Sequence, residues 1–185
     1  MIQLDTSWLQ HVQKPARYTG GEYNSIVKDH STVDVTMALG FPDVYEVAMS
    51  HLGIKILYGL VNRREDAVAE RVFAPWHDME EEMRKRNIPL FSLETRTPIK
   101  DFDVLAFTLQ YEMSFTNILN MLDLAGIPMY AKDRDLEFPL LVCGGPCAYN
   151  VEPIADFFDI VSLGESEEWG DEFIDLFKAE KANWF

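Results

Sequence analysis

The stretch "LLVCGGPCAYN", Leu140 to Asn150, is an apolar run that stops at two glycines and a proline, and it carries both cysteines of the chain, Cys143 and Cys147. Four apolar side chains in succession do not suit a strand with one wet face. They suit a strand covered on both faces, as in a parallel sheet under helices. Gly144 and Gly145 remove Cβ atoms where the chain must turn, and Pro146 cannot continue a ladder.

Runs of similar character recur on either side. "VDVTMAL" (33–39), "RVFAP" (71–75), "VLAFTL" (104–109), "PLLVCG" (139–144) and "DIVSLG" (159–164) read as strands, with a weaker run "LFSLE" at 90–94. Between them the period shifts to that of helices. "HDMEEEMRKRN" offers Asp78 as an N-cap, acids in its first turn and bases in its last. "SFTNILNMLDLAGIP" sets Phe115, Ile118, Leu119 and Leu122 on one stripe and stops at Gly126 and Pro128. "SEEWGDEFIDLFKAEK" presents Trp169, Phe173, Ile174 and Phe177 on one face, with Gly170 as a local weakness, and "VYEVAMSHLGIKILYGLVN" reads as helix after the first strand. This alternation predicts a three-layer α/β fold of Rossmann-like or flavodoxin-like kind. It would be an open, mostly parallel five-stranded sheet with helices on both faces. Residues 33–185 would form that domain; residues 1–32 lie outside the alternation and read as an N-terminal extension, either an added edge element or a docking arm.

Composition excludes several classes. Sixteen basic against thirty-one acidic residues give a formal charge of −15, which disfavours direct contact with nucleic acid. No apolar run is long enough to cross a bilayer and the N-terminus lacks a secretory pattern, so the expected compartment is the cytoplasm. Two cysteines alone are no disulfide framework. A metal site would have to recruit His11, His30, His51 or His77 from scattered positions, which argues against one; a redox dithiol is a lesser alternative. Neither a dinucleotide fingerprint nor a phosphate-binding loop is present.

In open α/β sheets ligands lie beyond the carboxyl ends of the strands, so five loops hold the candidate residues. After the first strand come Gly40, Phe41, Pro42 and Tyr45, with Asp43 as a helix cap; a capped turn explains these residues as well as a site does. After the third main strand lie Thr108, Gln110 and Ser114, the last equally a plain N-cap. Then follow Gly144, Gly145, Pro146 and Cys147, and finally Gly164, Glu165 and Glu167, where acids also suit a helix start. No glutamate there has a visible acid–base partner.

The segment "CGGPCAYNVEPIADFFDIVSLGESEEW" (143–169) resembles the last third of the cobalamin-binding-like domain that precedes the catalytic barrel in many B12-dependent radical SAM proteins. The matching positions are Gly144, Gly145, Pro146, Cys147, Glu152, Pro153, Asp159, Gly164, Glu165 and Glu167. "LGFPDVYEVAMSHLGIKILYGLVN" (39–62) is similar to that family's first strand, loop and helix, and "KPARYTGGEYNSIVKD" (14–29) points to a bacterial subfamily. The resemblance implies that this chain is the N-terminal fragment of a longer enzyme and is not catalytic alone. The four-iron four-sulfur cluster and S-adenosylmethionine would belong to a downstream barrel in the same polypeptide. It further implies cobalamin held by the strand-end loops without a protein histidine as axial ligand, since no histidine here stands in an Asp-x-His-x-x-Gly motif. Many relatives carry His where Cys147 stands, so the alternative is a cofactor-free scaffold that docks on the barrel or a partner. The substrate and the oligomeric state are not legible.

Overall fold

The computed structural model describes residues 8–181. Five strands form one sheet in the order β2-β1-β3-β4-β5, with every pairing parallel. They are β1 (Val35–Phe41), β2 (Ala67–Phe73), β3 (Val104–Thr108), β4 (Leu140–Gly144) and β5 (Ile160–Val161). The helices are α1 (Tyr45–Ala48), α2 (Leu52–Asn62), α3 (His77–Arg86), α4 (Phe115–Ala125) and α5 (Ser166–Lys181). The predicted mostly parallel sheet is thus wholly parallel. Its strand order reverses between β1 and β3, which places the switch point, and the crevice that accompanies it, at their carboxyl ends.

Two cores cover the two faces. Alternate residues of the strands explain the division: Met37 and Leu39 of β1, Val104 of β3 and Val142 of β4 pack with Ile54 of α2 and with Phe173, Ile174 and Phe177 of α5. Ala38, Leu105, Leu141 and Cys143 meet Met79 and Met83 of α3 and Ile118, Met121 and Leu122 of α4. Both faces of β1 and β2 are therefore buried along their whole length.

Several local expectations needed correction. The second strand begins at Ala67, four residues before the apolar run suggested, because the ladder continues straight through Glu70 and Arg71, whose charges are paired inside the fold. "LFSLE" contributes a single antiparallel bridge, Phe91 to Pro98, in a loop against the outer edge of β2. The single helix expected after β1 is two, interrupted at 49–51. No α-helix joins β4 to β5; two 3-10 turns, Pro146–Asn150 and Ala155–Phe157, make that connection. Asp78 lies inside α3 and accepts hydrogen bonds from Gln13 N at 2.7 Å and Met79 N at 2.8 Å, which fastens the N-terminal segment to the helix. Gly126 does end α4 in the left-handed region, with φ +69°.

Residues 8–32 are stitched to the sheet domain at many points. Trp8, Leu9 and Val12 are buried in the α3 and α4 core. Ile26 N donates to Tyr58 Oη at 2.7 Å, and Lys28 Nζ donates to the carbonyls of Asn62, Arg64 and Ala67.

Candidate functional site

A cleft with a cavity of about 220 Å³ opens at the carboxyl edge of the sheet, between α2 and α5. Its floor is made by the ends of β1, β3 and β4: Leu39 and Gly40, Ala106 to Thr108, and Val142 to Gly144. One wall is α2, through Gly53, Ile54 and Leu57; the other is α5, through Trp169, Gly170 and Phe173. The indole of Trp169 stacks on Phe173 with centroids 4.7 Å apart, a flat aromatic surface along the cleft. Below the cleft the two helices are tied by ion pairs from Arg63 and Arg64 to Asp171 and from Arg64 to Asp175.

Of the predicted residues, Gly40, Thr108, Gln110, Gly144, Gly145, Gly164, Glu165 and Glu167 line this cleft. Phe41, Pro42, Tyr45, Ser114, Pro146 and Cys147 do not. Phe41 is buried against the His51 ring, and the Pro42 carbonyl accepts from Asn117 Nδ2 at 2.9 Å. The Tyr45 hydroxyl donates to Glu22, and burial together with that carboxylate pushes its pKa up to about 12. Ser114 Oγ donates to the Tyr111 carbonyl at 2.7 Å and does not cap α4. Asp43 likewise caps no helix; its Oδ1 accepts from Val44 N at 2.7 Å.

The glycines divide into two kinds. A Cβ on Gly40 would lie 2.6 Å from the Phe107 ring, and one on Gly145, at φ +104°, would lie 3.0 Å from the Leu109 carbonyl oxygen. These two permit close approach within the protein itself. Leu109 N donates to Gly144 O and Cys147 N donates to Leu109 O, so the β3 and β4 exits are bound directly to each other. A Cβ on Gly164, also at φ +104°, or on Gly170 would meet nothing within 4 Å, so those two border open space at the cleft mouth.

The sulfurs of the opening stretch do not meet as reactive groups. Cys143 is buried and its thiol is pushed up to about 12 by that burial. Cys147 is half-buried, its thiol raised by burial and by Glu112. Thiols held protonated in this way are poor nucleophiles and poor metal ligands. Among the described residues no group of three or more His, Cys, Asp or Glu is arranged to hold a metal ion.

Sequence reasoning missed His51, Gly53, Ser162 and Ser166, all of which line the cleft. His51 sits at the N-cap of α2, where Nδ1 accepts from Ile54 N at 3.4 Å. A polar cap-forming residue followed two places later by glycine, inside an otherwise apolar run, was the available signal for the helix break.

Comparison with known proteins identifies a family. Residues 53–184 match the family described as radical SAM proteins, N-terminal. A protein of Methanocaldococcus jannaschii, named only as uncharacterized, is 28% identical over 134 residues, which cover 71% of this chain and 24% of that protein. No helix among the described residues is long and apolar enough to cross a membrane. With the family match extending over well more than half of its length, the chain belongs to the family of radical SAM protein N-terminal regions.

Proposed function

We propose that the chain is the cobalamin-binding-like module of a radical SAM enzyme, holding a B12 cofactor or substrate at the sheet's carboxyl edge for a downstream iron-sulfur and S-adenosylmethionine barrel. The observation that carries this reading is the cleft between α2 and α5, open at the β1/β3 switch point and floored by strand ends.

The residues fit one end of such a cofactor. A cavity of about 220 Å³ is smaller than the 300–1,000 Å³ typical of a site for a whole drug-sized ligand. It therefore takes an apolar or flat portion of a larger molecule and leaves the remainder at the mouth, where Gly164 and Gly170 leave space. Bound cobalamin would supply a cobalt centre for group or electron transfer. The chain's own part is to bind and orient: Trp169 and Phe173 offer an aromatic wall that excludes water, and Ser162 and Thr108 offer hydroxyls at the strand ends.

Hydroxocobalamin added to the purified chain, followed by desalting, is expected to leave about one equivalent of corrin absorbance with the protein. Gly170→Leu should abolish retention, since it fills the mouth while replacing a poor helix former by a good one. Absence of retained absorbance in the unmodified chain would remove the cofactor reading.

A second reading, a cofactor-free docking domain, draws on the rim of the same edge. Tyr111 and Met113 after β3, Tyr149 after β4 and Leu163 after β5 are large apolar side chains at least 61% exposed. Apolar groups gathered on adjacent loops suit contact with another domain. If corrin is not retained, this surface would be the one through which the barrel or a partner is held.

A further inference from the structure

We infer that His51 is the hydrogen-bond donor that reads the ligand in this cleft, and that its partner is an uncharged acceptor, a carboxamide or ketone oxygen on a flat apolar group. The inference deepens the proposed function and rests on the same cleft being a binding site.

The break between α1 and α2 puts His51 at the N-cap of α2, half-buried on the cleft wall. Its Nδ1 accepts from Ile54 N at 3.4 Å. A neutral imidazole has one acceptor nitrogen and one donor, so engagement of the Nδ1 lone pair assigns the proton to Nε2. The ring is held on two further sides. Phe41 lies 5.3 Å away between centroids, and a Cβ on Gly53 would come within 2.8 Å of Cε1, so the glycine is what lets the ring lie there. The bond to Ile54 N is made at Nδ1, and Nε2 has no hydrogen-bond partner among the described residues. The other uncharged polar side chains on the cleft are the short hydroxyls of Ser162, Ser166 and Thr108 and the amide of Gln110, which donates to Thr108 Oγ1.

The charge of the site decides which acceptor suits that donor. Among the described residues no lysine or arginine lines the cleft, and Glu165 and Glu167 are exposed at its mouth. A carboxylate or phosphate would meet two like charges and no cation, whereas a neutral oxygen accepts from an N–H without that repulsion. Apolar walls at Ile54, Leu57 and Trp169 select the body of the ligand.

His51→Asn separates the two roles of the residue, because asparagine is a strong N-cap whose Oδ1 keeps the bond to Ile54 N, while its shorter amide no longer places an N–H where Nε2 stood. With the chain labelled with ¹⁵N at histidine, the His51 ring should show the Nε2–H tautomer. Its signals should move on addition of hydroxocobalamin, and also of nicotinamide, a small planar carboxamide, but not of nicotinate. His51→Asn should weaken hydroxocobalamin about three- to tenfold, the range for loss of one neutral hydrogen bond. Unchanged affinity in that variant would overturn the role of His51 and leave the cofactor reading standing. If hydroxocobalamin fails to bind while nicotinamide moves His51, the cofactor reading falls and the inference stands. Failure of both probes to move His51, or an equal response to nicotinate, overturns the inference.

Discussion

Two regions of this molecule concentrate polar and charged groups, and they do so in opposite ways. Along the outer edge of β2 the polar and charged side chains bond to one another and to the strand's backbone. Asn62 exchanges hydrogen bonds with both backbone groups of Ala69, Lys28 caps the Ala67 carbonyl, and the Glu94 carboxylate accepts from Arg71 N while Leu93 N donates to Arg71 O. Glu70 accepts from Ser92 Oγ and from both the amide and hydroxyl of Thr95, and pairs with His30 Nε2 at 2.7 Å. Side chains thus substitute for the strand that this edge lacks. At the α2/α5 cleft, by contrast, His51 Nε2 has no partner among the described residues and two glycines face open space. The teaching is that strongly perturbed ionisation does not by itself mark a site. Burial raises the Glu94 carboxyl and pushes Tyr58 up to about 12, yet both belong to the closed edge.

The largest expected effect comes from opening that edge. Arg71 pairs with Glu94 and Glu22 at 2.6 Å each, and its guanidinium lies 4.8 Å from the centre of the Tyr58 ring. Arg71→Ala would leave the fully buried Glu94 carboxylate without its cation, which costs about 3–5 kcal/mol for a buried pair broken on one side. Urea unfolding should register that loss. Whatever fraction stays folded should retain ligand at the cleft as the unmodified chain does. A variant as stable as the parent would contradict the edge's structural role; a folded variant that loses ligand would join the two regions that the comparison separates.

The same contrast explains what could be read in advance. β1, β3 and β4 were legible because both faces are largely buried and their sequences are nearly continuous apolar runs. β2 is equally buried, but Glu70 and Arg71 interrupt its run, and their partners come from residues 22, 30 and 92–95, remote in sequence. The loops of the site followed from strand ends alone, and eight of the fourteen candidate residues line the cleft. The other six share those loops but turn elsewhere. Cys147 packs with the α3 and α4 core on the face opposite the cleft, whereas Tyr45 stays on the cleft's face but turns aside to Phe73 on the edge strand β2; loop position reveals neither direction. His51 was hidden by an apolar periodicity that runs across the break between α1 and α2.

A smaller effect distinguishes the two kinds of glycine. Gly145 combines φ +104° and ψ −177° with a Cβ position 3.0 Å from the Leu109 oxygen. That backbone region belongs almost wholly to glycine, so Gly145→Ala should cost about 1–3 kcal/mol from strain, with crowding in addition. Gly164→Ala has the same φ but open space around the added methyl, and should cost less. Paired thermal melts test the ordering. Equal losses would show that the Leu109 contact yields without cost, and that Gly145 is there for its backbone angle only.

The smallest effect is a pH dependence from Cys143. Burial raises its thiol from the ordinary value to about 12, so the folded chain keeps the proton that the unfolded chain releases above about pH 8.5. The unfolded state then binds fewer protons than the native one, and stability must fall as pH rises through that window, by at most about 1.4 kcal/mol per pH unit for one group. Tyr45 and Tyr58, also pushed up to about 12, add to the alkaline loss, but only from about pH 10, where an unperturbed phenol ionises. Between pH 8.5 and 10 the slope difference between the parent and Cys143→Ala therefore isolates the thiol. The variant should start less stable, from the lost packing, yet decline less steeply; parallel slopes would mean that Cys143 ionises as readily folded as unfolded. The native chain should also expose only Cys147 to a thiol reagent at neutral pH, with Cys143 reacting after denaturation. Such a result would leave the Gly-Gly-Pro turn as a backbone junction between the β3 and β4 exits, with its sulfurs on the closed side of the comparison.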